Sequence, residues 1–162
     1  MTAYGYCVQD FELSQSVNQR MEIVQKIARS HSVELFRVYS DHGYGVFLQW
    51  RYRPGLRLLV RRLKLGDVLV VPNVFVFGFS MNPMVLLFRR LRARKIVVIE
   101  ERGAFHCSRP MEFSRLMAPI RNLAIRERRI KNALAWRREH GVIKGDRRML
   151  KIRKKKFLDR LL

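Results

Sequence analysis

Apolar residues along this chain alternate between strand-like runs and helical spacing, and the alternation sets the expected fold. Ala3 to Gln9 is a short apolar run of strand length. Gln15 to Ser30 carries Val17, Met21, Val24 and Ile27 at steps of three and four, which makes one apolar helical face. Val33 to Tyr39 reads as a second strand, Asp41-His42-Gly43-Tyr44-Gly45 as a turn, and Phe47 to Tyr52 as a mobile loop. Pro54 suits the first position of a helix that runs to Leu65 and stops at Gly66. Asp67 to Val76 is a nearly unbroken Val-rich run, as expected of a strand covered on both faces. Asn82 is placed to cap a helix with Pro83 at its first position, ending at the basic turn Arg92 to Lys95. Ile96 to Glu100 follows as a strand. Strands alternating with helices predict an α/β fold with a mainly parallel sheet.

From Glu112 the pattern turns helical and stays so to about Gly141. Leu116, Ile120, Leu123, Glu127, Ile130 and Leu134 recur at steps of 4, 3, 4, 3 and 4, the seam spacing of a coiled coil interrupted only by Glu127. Two readings stay open. Either the first half is core and the second a solvated basic helix, or the stripe packs against a twin helix. Pro119 marks either a kink or the true start. Val68 to Phe88 carries no charge, yet Pro72, Asn73, Gly78, Ser80, Asn82 and Pro83 would break a membrane-spanning helix repeatedly.

Composition adds a partner to this picture. The 162 residues carry a formal charge of +21 and are 48% apolar, so a cored domain with a polyanionic partner is expected, nucleic acid before membrane. From Arg115 onward there are 17 Lys and Arg against 4 Asp and Glu, which describes a globular head with a basic tail. Cys7 and Cys107 make neither a disulfide framework nor a zinc set, and His106 beside Cys107 gives no metal-ligand spacing. No metal or cofactor is expected. The N-terminus has no signal-peptide pattern, and a reducing, cytoplasmic, DNA-associated setting without membrane attachment is expected.

The motifs then fall in a familiar order. The first strand reads Tyr4-Gly5-Tyr6-Cys7-Val8-Gln9-Asp10, Gln19 follows nine residues after Asp10, Arg53-Pro54-Gly55-Leu56 comes next, and Gly66-Asp67 leads into the apolar strand. This order resembles the catalytic domain of the serine recombinases, the resolvases and invertases. The resemblance implies a resolvase-like three-layer α/β domain over residues 1–110, a long dimerisation and DNA-approach helix over 111–141, and a basic tail over 142–162. It implies a homodimer or higher homo-oligomer through Leu116, Ile120, Leu123, Ile130 and Leu134, with an active recombinase as a further candidate partner. The family continues into a helix-turn-helix domain. Here only about twenty residues follow Gly141. Either that reader is absent, or one short helix from Met149 to Leu162 replaces it.

The chemical positions of the family are mostly changed. Its strand-end arginine and nucleophilic serine align with Val8 and Asp10, and its Leu-Asp-Arg-Leu-x-Arg signature aligns with Val74-Phe75-Val76-Phe77-Gly78-Phe79. The family's serine attacks a scissile phosphate while several arginines stabilise the developing charge, so losing the arginines removes most of the catalysis. Asp10 would repel a phosphate, and Ser14 and Ser16 lie beyond the strand end. Arg53 keeps the family's loop arginine, with Arg51 two residues before it. Arg53 contacts either phosphate or a carboxylate that folds the loop onto the domain. The phenylalanines either fill the core or leave an aromatic surface for a partner at Phe77 and Phe79.

No catalytic residue is therefore expected. DNA contacts, mainly to the phosphate backbone, are expected from Arg129, Arg137 and Arg138 on the helix and from the residues beyond it. These are Lys144, Arg147, Arg148, Lys151, Arg153 and the run Lys154-Lys155-Lys156. The resulting expectation is a catalytically inactive, recombinase-like DNA-binding regulator, architectural protein or accessory subunit. Two alternatives stand beside it: a divergent active recombinase with another nucleophile, and a dimeric interaction module whose basic tail binds RNA. Only Trp136 and Phe157 could serve as stacking platforms in the second case.

Overall fold

The computed structural model describes residues 1–9, 16–42, 49–78 and 81–139. Its strands are β1 (Ala3–Gln9), β2 (Arg37–His42), β3 (Val68–Val70), β4 (Val97–Glu100) and β5 (Gly103–His106). Its helices are α1 (Val17–Ser30), α2 (Pro54–Arg62), α3 (Met81–Ala93) and α4 (Pro110–Glu139). The sheet order is β2-β1-β3-β4-β5. The first four strands are parallel, and β5 returns antiparallel to β4.

Alternation along the strands sorts the core into two layers. Ala3 and Cys7 of β1, Val68 and Val70 of β3 and Ile99 of β4 pack with Val24, Ile27 and Ala28 of α1. Gly5 lies on this face, where an added Cβ would come 2.7 Å from Val24 Cγ1, so its lack of a side chain lets the helix sit down on the strand. Tyr4, Tyr6 and Val8 point to the opposite face, which α2 and α3 cover. Two parallel crossovers in one direction and one in the other place α1 alone on its side, as right-handed connections require. Gln19 has a local task in this arrangement. Its backbone N–H donates to Ser16 Oγ at 3.3 Å while its Oε1 accepts from the Ser16 N–H at 2.8 Å, a reciprocal cap that starts α1.

Several boundaries differ from the sequence expectation, each for a local reason. β2 begins at Arg37 rather than Val33. After α1 the chain turns at Ser32 (φ 53°) and runs up to the sheet, where the Phe36 N–H donates to the Ala3 carbonyl at 2.8 Å just before β2 starts. Asp41 and His42 belong to the strand, not to a turn, and residues 43–48 lie outside the described set. Trp50–Tyr52 forms a 3-10 turn rather than a loose loop, with the Trp50 ring buried and the guanidiniums of Arg51 and Arg90 over it at 5.9 and 5.3 Å. The Val-rich run is not one strand. Pro72 has no N–H for a ladder, and Asn73 Oδ1 accepts from the Phe75 N–H at 3.0 Å, which starts a 3-10 turn over Val74–Phe77. α3 starts at Met81, so Asn82 lies inside it and Pro83 occupies its first turn, where a missing N–H costs nothing.

The chain divides into two compact units, residues 1–123 and 124–162. The first unit includes the start of α4, because Leu116, Met117, Ile120 and Leu123 are buried in it. Leu116, Ile120 and Leu123, expected on an intersubunit seam, are thus already covered within the single chain. Pro119 neither starts nor ends α4, which runs through it. In the second unit the described side chains of α4 are exposed, apart from half-buried Leu134; Ile125 and Ile130 stand at 53% and 47% exposure.

Candidate functional site

In a parallel α/β sheet, chemistry gathers where the strands end and the chain turns into helices. Here β1 ends at Gln9, β2 at His42, β3 at Val70 and β4 at Glu100. A buried polar cluster has been built into this edge. Asp41, 3% exposed, accepts three hydrogen bonds: from the Gly55 N–H at 2.6 Å, the Leu56 N–H at 2.9 Å and the Tyr6 hydroxyl at 2.9 Å. A carboxylate from β2 thereby satisfies the open N–H groups at the start of α2, where the helix dipole also favours negative charge.

The Arg53-Pro54-Gly55-Leu56 motif is explained by this contact. Pro54 starts the helix. Gly55 allows the approach, since a Cβ there would come 2.5 Å from the Ser40 carbonyl oxygen and 3.0 Å from Asp41 Oδ1. Leu56 goes into the core. Arg53, with no exposed surface, reaches inward and donates through Nη1 to the Val76 carbonyl and through Nη2 to the Phe77 carbonyl at 3.2 Å. Arg53 thus ties its loop to the domain with backbone carbonyls among its acceptors, where the sequence had suggested a carboxylate or a phosphate. Burial pushes the Tyr6 hydroxyl far above its ordinary value; Arg53 opposes this and Asp41 adds to it.

The segment aligned with the charged family signature is interior. Val74, Phe75, Val76 and Phe77 are all buried. The Phe77 ring stacks on Tyr6 (centroids 6.4 Å apart, planes 6° apart) and meets Phe88 of α3 edge-on at 5.5 Å, and Phe88 meets Phe113 of α4 at 5.6 Å. Phe77, 2% exposed, therefore offers no aromatic surface to a partner: it joins β1 to α3, and Phe88 carries the contact on to the first turn of α4. Val8 is buried on β1 opposite Asp41. Asp10, Ser14 and Phe79 lie outside the described residues, whereas Ser16 is the α1 cap.

At the end of β4, Glu100 is fully buried and ion-paired with Arg102. Burial raises its carboxyl above the ordinary value of 4.5, with Arg102 and the Val74 N–H pulling the other way. The two thiols are chemically quiet, since burial pushes Cys7 up to about 11 and Cys107 up to about 12. Among the described residues no group of three His, Cys, Asp or Glu could hold a metal ion, and no helix is long and apolar enough to cross a membrane.

Of the expected DNA contacts, Arg129 is exposed on α4. Arg137 and Arg138 lie in the same helix, while Lys144, Arg147, Arg148, Lys151, Arg153, Lys154, Lys155 and Lys156 fall outside the described residues.

Comparison with known proteins places this arrangement. The family model of the resolvase N-terminal domain matches residues 8–143. The chain belongs to that family. Among solved structures it is similar to the N-terminal catalytic domain of TP901-1 integrase, at 16% identity and a TM-score of 0.55, over 80% of this chain and 98% of that one. That likeness is one of fold. No curated protein matches the chain in sequence. The resolvase-like fold and a recombinase-related role are thus established, and the Tyr6–Asp41–Arg53 cluster is what the sequence reading missed. The inward facing of Tyr39 and Asp41 at alternate positions of β2, which would have flagged it, is visible only in the fold.

Arg53→Lys should lower stability by about 1–3 kcal/mol in urea unfolding, because one ammonium cannot fork to two buried carbonyls. A stability equal to wild type would show that those carbonyls need only a charge nearby. Glu100 gives a pH signature. Its folded carboxyl holds its proton more tightly than the unfolded one, so the ionised form weighs against the fold. Relative to Glu100→Gln, wild type should lose stability as pH rises from about 4 through the folded pKa, then level off. Parallel stability–pH curves for the two proteins would refute this.

Proposed function

We propose that this resolvase-family chain binds DNA without cutting it, acting as a regulator, an architectural protein or an accessory subunit in recombination. The observation that carries the reading is the fate of Arg53. The loop arginine retained from the family's charge-stabilising set is enclosed and turned onto the carbonyls of Val76 and Phe77. The neighbouring positions that would supply further cations hold Val8, Val76 and Phe79, and the nucleophile's position holds Asp10. A transition state with charge spread over phosphate oxygens finds no guanidinium aimed at it from these positions.

DNA binding rests on charge. The second unit carries Arg126, Arg128, Arg129 and Lys131 exposed along α4, followed by the basic residues 140–162. Phosphate contacts of this kind bring affinity with little base selectivity. Self-association belongs to the same reading. With Leu116, Ile120 and Leu123 used in the core, the part of the seam left for a second copy is Ile130 with Leu134.

Incubated with supercoiled DNA and quenched in detergent, the protein should yield no covalent protein–DNA adduct. Asp10→Ser should yield none either, since the missing guanidiniums are not restored by it. An adduct formed by wild type and lost on changing Ser14 or Ser16 would establish an active recombinase instead. For the assembly, Ile130→Asp with Leu134→Asp places two charges on the remaining seam and should give a monomer in sedimentation. A double variant that still sediments as a dimer puts the interface elsewhere.

A further inference from the structure

The head has a concentration of positive charge that neither the strand-end cluster nor α4 uses. Between Arg51 and Lys95 the chain carries 11 Lys and Arg and one acid, Asp67. That acid is buried, its carboxylate occupied by the N–H groups of Thr2 and Lys64, each at 2.8 Å. Arg61, Arg62 and Lys64 lie in the last turn of α2 or just after it, Arg92 and Lys95 in the last turn of α3 or just after it, and all five are exposed. The C-terminal ends of the two helices are tied together. The Arg94 guanidinium donates to the Val60 carbonyl, and the Gly66 N–H donates to the Arg94 carbonyl at 2.8 Å. The five cations therefore gather where α2 and α3 feed into β3 and β4, at the opposite end of the sheet from the strand-end cluster. The ion pairs among the described residues are Arg102–Glu100 and Arg109–Glu112, and neither involves any of the five.

Cations in the last turn of a helix have an ordinary purpose, because they offset the helix dipole. Each C-terminus presents roughly half a negative charge, so two helices account for about one cation. Five exceed that several-fold and repel one another. Three of the five are arginines, whose planar fork suits phosphate oxygens better than a point charge does. We propose that this end of the sheet is a second phosphate-binding surface, which grips the backbone of duplex DNA independently of α4 and residues 140–162. The inference rests on the DNA-binding reading above and adds a separate place of contact. Leu58 and Leu65 are exposed among these cations, a mixture that an anionic lipid surface would also attract. The duplex is favoured because α2 has its apolar face committed to the core, through Leu56, Leu59 and Val60, and has no continuous apolar stripe left to bury in headgroups.

The test uses the full chain with Arg61, Arg62 and Arg92 all changed to Gln, beside the same three changed to Lys. Affinity for a random-sequence duplex is measured across a salt series, with thermal melting to check folding. The Gln variant should bind at least about tenfold more weakly at low salt, and its log–log salt slope should flatten by about 0.9 for each phosphate that the variant no longer neutralises. The Lys variant should keep most of the slope. The same Gln-dependent flattening should persist in a chain ending at Gly141. Wild-type DNA binding with an unchanged slope in the Gln variant overturns this surface alone. A wild-type chain that binds no duplex overturns the DNA-binding reading and this surface with it. If the Gln changes abolish binding to phosphatidylglycerol vesicles and leave duplex binding intact, the surface belongs to a membrane and the proposal fails.

Discussion

One buried carboxylate holds the working edge of this domain together. Asp41 accepts from the first turn of α2 and from Tyr6, so a single side chain fixes a strand, the neighbouring strand and the helix that crosses behind them. A buried anion is costly unless its lone pairs are occupied, and three donors occupy them. Everything downstream follows from that anchoring. The tight seat of α2 requires glycine at 55, and the direction of chain entry at Pro54 sends the preceding arginine inward. The arginine then holds the 3-10 turn whose aromatic residue stacks on Tyr6. The cluster closes on itself, which is why each member is buried in spite of its polarity.

The alternation of elements was legible in the sequence because each element carries its own period and its own stop signal. The Val-rich centre of the sheet, the apolar stripe of α1 and the Pro54 helix start need no tertiary information. What was not legible depended on contacts between distant residues. Asp41 looked like turn chemistry, because its partners lie 14, 15 and 35 residues away. The short β5 hid behind Arg102-Gly103, where a φ of 136° at Gly103 reverses the chain. The heptad-like stripe of α4 was read correctly as apolar, but spacing alone does not say whether a domain or a second chain covers it. Leu116 and Ile120 are covered by the domain. At the site, the motif residues Arg53-Pro54-Gly55-Leu56 could be read directly, whereas the inward turn of Arg53 depends on carbonyls more than twenty residues away.

Charge is distributed more evenly than a basic tail on a neutral head would suggest. Residues 1–123 hold 19 Lys and Arg against 9 Asp and Glu, and residues 124–162 hold 15 against 4. The head therefore has an excess comparable to that of the second unit. Since the buried acids of the head are consumed in caps and clusters, its surface is more positive than its composition implies. Long-range attraction to a polyanion acts on both units and weakens steeply as salt rises.

The burial of Val74–Phe77 bears on how this lineage can change. In an exposed loop, an arginine can appear by one substitution at little cost to the fold. At Val76, which is 3% exposed, a guanidinium would displace packed atoms and have to be desolvated. A change of that kind costs several kcal/mol, a large part of the stability of a small domain. A cationic loop is thus not one mutation away; several residues of the core would have to be rebuilt together.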